Sequence, residues 1–574
     1  MTETVTSHLL KATSLLPLYR QEGAEEGSGE GGLLFFEVAL VFSLCCFCFE
    51  YYLDLRQHIN YMTITEVPAL LRGKVTGEVF LKSQKYNRDK SSFNLVEKLL
   101  HVKGMALLCL GFMPFLWDWS VTIMHTYCSG GVISYLSVWT GPVAEEAFVA
   151  CIFVSLLMCY DVAVSIPFSL YRTFGIEQKH GFNKITLGLY LQDMAMQMLL
   201  AITIAVPVVS GIVALIRHGG KYFYLYVWAL LFAVSVFLLT IYPEYIAPTF
   251  NQYARLPGDS DEYKKITLLA KRVHFPLTNI YVMDGSKRSA HSNAFFYGFF
   301  NNKRIVLYDT LMKQVDMDEL LAILGHEIGH WSLGHTLQGF AITQVWVFLT
   351  FFCFAQFGGI RGFVADFGFS PHDTPVLIRL LLFMQVFFEP VDKTLTFFMN
   401  VLSRHNEFAA DAYAKGLGMG RELGTGLVKI SKENLSNMVP DKLYSAYHFS
   451  HPPVVERLAE LKPFTVQGVV MKGDTSTPSK GNVARDIGAA GPSGGGGWLR
   501  WIRTAEGLEE VQMLGVGHTV LLFVAVYLNY VFSAPFAWLI KLGGWVIILV
   551  QSIVLVWQLW IATAAEAAHN SKSE

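Results

Sequence analysis

Charge is what this chain has least of. Of its 574 residues only 16% are Asp, Glu, Lys or Arg, against 53% hydrophobic, where a soluble protein carries about 25% charge. A soluble chain of this size could not hide so much apolar surface, and the shortage is explained if much of that surface faces lipid. Neither sign of charge dominates. The 44 basic and 46 acidic residues leave a net charge of −2, which argues against nucleic acid as a partner. Cysteines are few and badly placed for a disulfide framework: of eight, only Cys128 lies in a connecting loop, the rest in apolar stretches. Residues 1–31 are polar, acidic and Gly-rich, without the basic start of a signal peptide.

Long apolar runs are what the chain has instead. They occur at Gly32–Phe49, Met105–Met124, Ala147–Tyr171, Met194–Ile216, Tyr222–Ala247, Leu337–Gly358 and Val376–Leu402. Each approaches or exceeds the ~20 residues a helix needs to cross ~30 Å of hydrocarbon. The expected fold is therefore an all-α integral membrane protein with seven spans. Basic residues set its orientation. Nine Lys/Arg lie in 50–104 and none in 125–146, ten in 248–336 and one in 359–375. That alternation puts the N-terminus outside or in the lumen, and both the interval 248–336 and residues 403–464 in the cytosol. Residues 466–512 form a Gly/Ser/Pro-rich linker. Two more apolar runs, Leu514–Ile540 and Gly543–Ala564, predict a membrane hairpin over 513–565, with a polar tail at 566–574. Glu389, Asp392 and Lys393 fall inside the seventh run and cannot face lipid cheaply. Either Glu389 and Lys393 form an internal ion pair, or the three line a hydrated wall.

The strongest chemical signal is His326-Glu327-Ile328-Gly329-His330. Residues four apart share a helix face, so both imidazoles can point at one metal ion, with Glu327 beside them as a general base. A hydrolytic zinc site needs a third protein ligand. The extended form HExxHxxGxxH fails, because Leu333 and Thr336 stand where Gly and His are required. His335 lies off the ligand face and reads as a support for the site. The other solution is a glutamate from a second helix. The segment 403–415 offers Glu407 and, one turn later, Asp411, which could hydrogen-bond a ligand histidine. By spacing alone it could equally be a solvated helix with Glu407 paired to Arg404.

HEIGHWSLGHT, SRHNEFAAD, the upstream GSKRSAHSNAFFYGFFNNKRIVLYDT and the downstream YHFSHPPVVERL occur in one order. Together they resemble the CAAX prenyl protease 1 family of M48 zinc metalloproteases, over about residues 32–465. The resemblance implies a seven-helix chamber with a zincin-type site and one zinc ion per chain. Its ligands would be His326, His330 and Glu407, with Glu327 as base and Asp411 behind the ligands. It also gives Asn293 and His451 the task of stabilising the tetrahedral intermediate. Both are donors of the kind an oxyanion needs, and Pro452-Pro453 after His451 cannot continue a helix. Implied substrates are prenylated CAAX proteins, losing their last three residues with a possible upstream cut, in endoplasmic reticulum or inner nuclear membranes. The family pattern departs at His405-Asn406. Rival expectations are a quality-control membrane metallopeptidase and a transporter with a structural zinc. The latter has no use for a base beside an open coordination position.

Overall fold

The computed structural model describes residues 35–101, 111–128, 142–298 and 302–359, and continues with breaks at 360, 366, 368 and 371–372 to residue 461. The expected N-terminal segment 1–31, the linker 466–512, the hairpin 513–565 and the tail 566–574 lie outside the described residues. Helices α1 (Phe35–Thr63) and α2 (Gly77–His101) come first. They are followed by α3 (Phe112–Ile123), α4 (Pro142–Leu170), α5 (Leu187–His218) and α6 (Phe223–Ile241). A π-helical turn carries α4 on to Glu177, and the Thr186 hydroxyl caps α5 by accepting the Leu189 N–H at 3.3 Å.

Among the described residues, four helical stretches are long and apolar enough to cross a membrane: Pro142–Glu177, Leu187–His218, Gly220–Phe250 and His335–Phe357. They coincide with the third to sixth of the seven runs. The first run lies in α1, which continues to Thr63, and the second is described only from residue 111. The seventh is shorter than expected, its apolar helix ending at Phe388. The chain stays helical there but turns polar at Glu389. The expected Glu389–Lys393 pair is not formed. Lys393 Nζ donates to Glu50 Oε1 at 2.7 Å, and Glu389 accepts from Ser43 at 3.1 Å. Both partners belong to α1, so the polar groups of this stretch meet another helix instead of lipid.

The all-α expectation fails over residues 253–308. There β1 (Tyr253–Arg255), β2 (Leu277–Met283), β3 (Ala294–Tyr297) and β4 (Lys303–Tyr308) form one sheet in the order β1-β2-β4-β3. The central pair β2–β4 is parallel, and both outer strands run antiparallel to their neighbours. The parallel pair needs a connection longer than a hairpin turn, and residues 284–302, with the edge strand β3, provide it. Between β1 and β2 lies α7 (Asp261–Arg272), whose Ile266, Leu269 and Ala270 are buried against the sheet's Ile280, Ile305 and Leu307.

The interval then gives α8 (Met317–Ser332), which carries the HEIGH motif. Asp316 and Glu319 form a reciprocal capping box at its start, each bond 3.0 Å. Gly334, at φ 73°, takes a left-handed conformation open to glycine, and the chain re-enters a helix at once as α9 (His335–Phe357). After α10 (Val376–Phe383) comes α11 (Glu389–Gly416), holding the expected third-ligand segment 403–415. The last elements are α12 (Gly420–Glu433), α13 (Lys442–His448) and α14 (Val454–Glu460).

Among the described residues the apolar core falls into four clusters, of which two are large. One joins the long helices through Phe153, Val213, Val227, Phe354 and Phe383. The other joins sheet, α7, α8 and α11 through Ile280, Leu307, Leu324, Ile328 and Tyr413. Where α8 crosses α11, Gly329 lets the backbones approach. A Cβ built there would lie 3.1 Å from Tyr413 Cβ and 3.2 Å from Ala410 Cα. Gly329→Val is therefore expected to cost about 1–3 kcal/mol of stability by overpacking, and to reduce bound metal by moving the two histidines off Glu407. Thermal unfolding and metal content per chain check both effects.

Candidate active site

Three elements bring the chemistry together. Helix α8 presents His326 and His330 on one face, their Nε2 atoms 3.2 Å apart. Helix α11 brings Glu407 against both, at 3.4 Å from His326 Nε2 and 3.2 Å from His330 Nε2. The segment before α14 brings His451, whose Nε2 is 3.3 Å from Glu407 Oε1. Helix α14 itself brings Arg457, a residue the sequence reading left unassigned although it lies within the quoted YHFSHPPVVERL stretch.

The donor set suits a metal ion. Ligand atoms of His326, His330 and Glu407 all lie within 4.8 Å of one another. Two facing imidazole nitrogens cannot both present protons to each other, but both can offer lone pairs to one cation between them. Glu407 is only 3% exposed, and its buried Oε2 has no hydrogen-bond partner among the described residues. A buried carboxylate oxygen without a partner is costly. A cation held with the two imidazoles would satisfy it.

Asp411 sits one turn beyond Glu407 and accepts from His326 Nδ1 at 2.8 Å. Arg457 also approaches Nδ1, at 3.2 Å, but a guanidinium cannot accept a proton, so the Nδ1 hydrogen goes to Asp411. That leaves the Nε2 lone pair for the metal. Arg457 Nε in turn donates to Asp411 Oδ2 at 2.9 Å and compensates its charge. On the other imidazole, His330 Nδ1 meets His335 Nδ1 at 2.9 Å, five residues on and beyond the Gly334 turn.

Electrostatics favour a positive occupant. Burial works against a charged His326, yet the Asp411 and Glu407 carboxylates outweigh it and hold the pKa at about 8. Burial also opposes ionisation of Glu407, but bonds from His326 and His330 keep it well below the usual carboxylate range. Glu327 goes the other way: burial raises it, with His326 and His330 only partly restoring the charged form. A carboxyl raised in this manner is a better proton acceptor than an ordinary carboxylate.

A cavity of about 560 Å³ opens over these groups. His326, Glu327, His330, Glu407, His451 and Asn293 all line it. Asn293 stands just before β3, its carbonyl accepting the Tyr308 N–H at 3.1 Å. Its Oδ1 takes the Ala294 N–H at 2.8 Å, which leaves the amide NH2 as the outward donor. His291, two residues earlier, stacks on Phe182 with ring centroids 4.3 Å apart, fixing the turn. Edge strand β3 also lines the cavity, through Ala294, Phe295 and Phe296. The sequence reading missed it because the strand has only four residues.

Asp411→Asn keeps the shape of the side chain but weakens its hold on His326. Metal affinity is expected to fall about 10–100-fold, as read by titration with a competing chelator, with the helical content unchanged.

Comparison with known proteins gives the family. Residues 57–252 match the family model described as CAAX prenyl protease N-terminal, five membrane helices, and residues 262–465 match peptidase family M48. The CAAX prenyl protease 1 homolog of Oryza sativa is 40% identical over 433 residues, covering 75% of this chain and 98% of that protein. The Homo sapiens homolog is 39% identical over 465 residues, covering 74% and 95%. The crystal structure of S. mikatae Ste24p superposes with a TM-score of 0.70 at 33% identity, across 75% of this chain and all of that one. The protein is a membrane-embedded metalloprotease, and the chain belongs to the CAAX prenyl protease 1 family of M48 peptidases.

Proposed function

We propose that the chain is a zinc endopeptidase that removes the C-terminal tripeptide from prenylated CAAX proteins, and that it also makes upstream cuts in some of them. The carrying observation is the convergence, within 4.8 Å of one another, of two imidazoles and the buried Glu407 carboxylate in a cavity that Glu327 also lines. Relatives named CAAX prenyl protease 1 supply the substrate class. Zinc would be held by His326, His330 and Glu407, a set of three protein ligands that leaves a position open. Bound there, it would supply Lewis acidity to the scissile carbonyl and acidify water. Glu327 takes the proton from the attacking water and passes it to the leaving amine. Asn293 and His451 donate to the oxyanion, a contribution of about 3 kcal/mol each in comparable sites. Asp411 and His335 orient the two ligand imidazoles.

The alternation of basic loops supports a metal site on the cytosolic side of the membrane, and the family resemblance supports the endoplasmic reticulum or inner nuclear membrane as its place. Matched farnesylated and unprenylated CAAX peptides test the substrate, with the cut mapped by mass. Only the prenylated peptide is expected to lose its last three residues efficiently. Glu327→Gln should abolish that cleavage while the chain retains its metal, because it removes the base and no ligand. Near wild-type turnover in that variant would exclude the hydrolytic mechanism.

The M48 match ends at residue 465, and every proposed catalytic residue precedes it. Truncation after residue 465 is therefore expected to leave metal content and peptide cleavage nearly unchanged. A folded but inactive truncation would make the predicted hairpin over 513–565 part of the chamber or its gate.

A further inference from the structure

A second cavity, of about 470 Å³, adjoins the first and shares Leu427, Ile430, His451 and Arg457 with it as a common wall. Its surroundings differ. The first cavity reaches the membrane helices through Gly339 of α9 and Met399 and Leu402 of α11. The second runs between α1 and α2, below the loop after α12. Along α2, Asn87, Lys90 and Asn94 line it, spaced three and four apart and so on one helix face. Asp54 and Gln57 do the same from α1. The acidic member, Asp54, is already paired with Lys98.

Among the described residues, three buried polar atoms of residues lining this cavity have no hydrogen bond: Asp54 Oδ2, which Lys98 meets as an ion pair, and two donors. Ser431, 5% exposed, has a buried Oγ with no hydrogen bond among the described residues. The buried Nδ2 of Asn437 likewise donates to nothing, while its Oδ1 is fixed by the Val439 N–H at 2.9 Å. Buried donors of this kind are normally satisfied, and both line the cavity. Lys90 adds a cation. Its Nζ donates to the Tyr86 hydroxyl at 3.2 Å, and the nearest carboxylate, Glu177, stands 3.9 Å away and already accepts from Tyr86 at 2.8 Å. The ammonium thus keeps donors to spare.

We propose that this second cavity binds the leaving segment of the substrate, capturing its C-terminal carboxylate with Asn437, Ser431 and Lys90. The inference rests on the tripeptide-releasing reading given above. A prenylated C-terminus has two ends of opposite chemistry around the scissile bond. The lipid-bearing residue lies on the N-terminal side and needs apolar side chains such as Phe295, Phe296, Met399 and Leu402 of the first cavity. The other side is a short segment ending in an anion, which needs donors and a positive charge. Three extended residues reach about 10 Å, and the two cavities are neighbours that share the lining residues Leu427, Ile430, His451 and Arg457.

The test compares farnesylated peptides that end in a free carboxylate or in a primary amide, cleaved by the full-length protein in bilayers. Wild type is expected to favour the free acid about tenfold in kcat/KM, a difference a charge-assisted hydrogen bond can supply. Asn437→Asp, which keeps the acceptor for the Val439 N–H but adds a repelling charge, should bring the ratio to one or below. Lys90→Met should bring it close to one. Metal content confirms that each variant folds. A wild-type ratio near one, with both peptides cut, overturns the carboxylate site and leaves the tripeptide-releasing activity standing. A parallel fall of both peptides in the variants overturns it too, since a merely structural role moves both alike. Cleavage of neither peptide by wild type would overturn the functional reading itself, and this inference with it.

Discussion

Everything at the centre of this molecule answers to one buried carboxylate. Glu407 is nearly inaccessible, is held toward its charged form by its neighbours, and faces two imidazoles from a helix some eighty residues earlier in the chain. A charge in such a place is tolerable only when it is surrounded by positive or proton-donating groups. That requirement draws α8 and α11 into contact and makes Gly329 necessary where they cross. It also accounts for the next layer of groups. Asp411 directs His326, and Asp411 is itself a buried anion, so Arg457 from α14 must neutralise it. Each buried charge is compensated by a neighbour on a different helix, and the elements that carry the site are held together by the same bonds that tune it.

The sheet and the capping box then fix where this cluster sits. Asp316 and Glu319 hold the start of α8, with Lys429 of α12 bonded to Glu319 at 2.6 Å. Strand β4 holds the residue before β3 through the Tyr308 N–H, and so presents Asn293 to the cavity. A loop alone would leave such a donor mobile. Tied to a strand whose Val306 and Leu307 are fully buried, it becomes part of a rigid wall.

The parts of this arrangement that were legible in the sequence are those governed by local rules. The spacing of His326 and His330 on a helix depends on nothing outside five residues, and the four long apolar helices announce themselves by composition. Glu407 was different. Spacing left it balanced between a metal ligand and a partner for Arg404, because which helix packs against α8 is a tertiary fact. In the structure Arg404 bonds Ser445 and Glu456 instead, and only the family resemblance pointed to that outcome. The pairing of Lys393 with Glu50, across 343 residues, was illegible for the same reason. So was the sheet: its strands are three to seven residues long and sit in a polar interval, where short runs such as Ala294–Tyr297 carry little signal of their own.

Chain geometry also limits how far the metal site can be from lipid. His335 is five residues past His330 and begins α9, one of the helices long enough to span. With the Gly334 turn between them, the ligand cluster and the end of that helix share a hydrogen bond, His330 to His335. A site so close to a span end has Phe295, Phe296, Met399 and Leu402 in its own cavity and, across the shared lining residues, Asn87, Lys90 and Asn94 of α2 in the second. A soluble peptide would gain nothing from the first, and a lipid alone would gain nothing from the second. The pair of environments is matched by an amphiphile whose apolar and ionic ends lie a few residues apart, which is the chemical description of a prenylated C-terminus. On that reading, specificity comes less from the catalytic groups, which any peptide bond would satisfy, than from the two unlike compartments they separate.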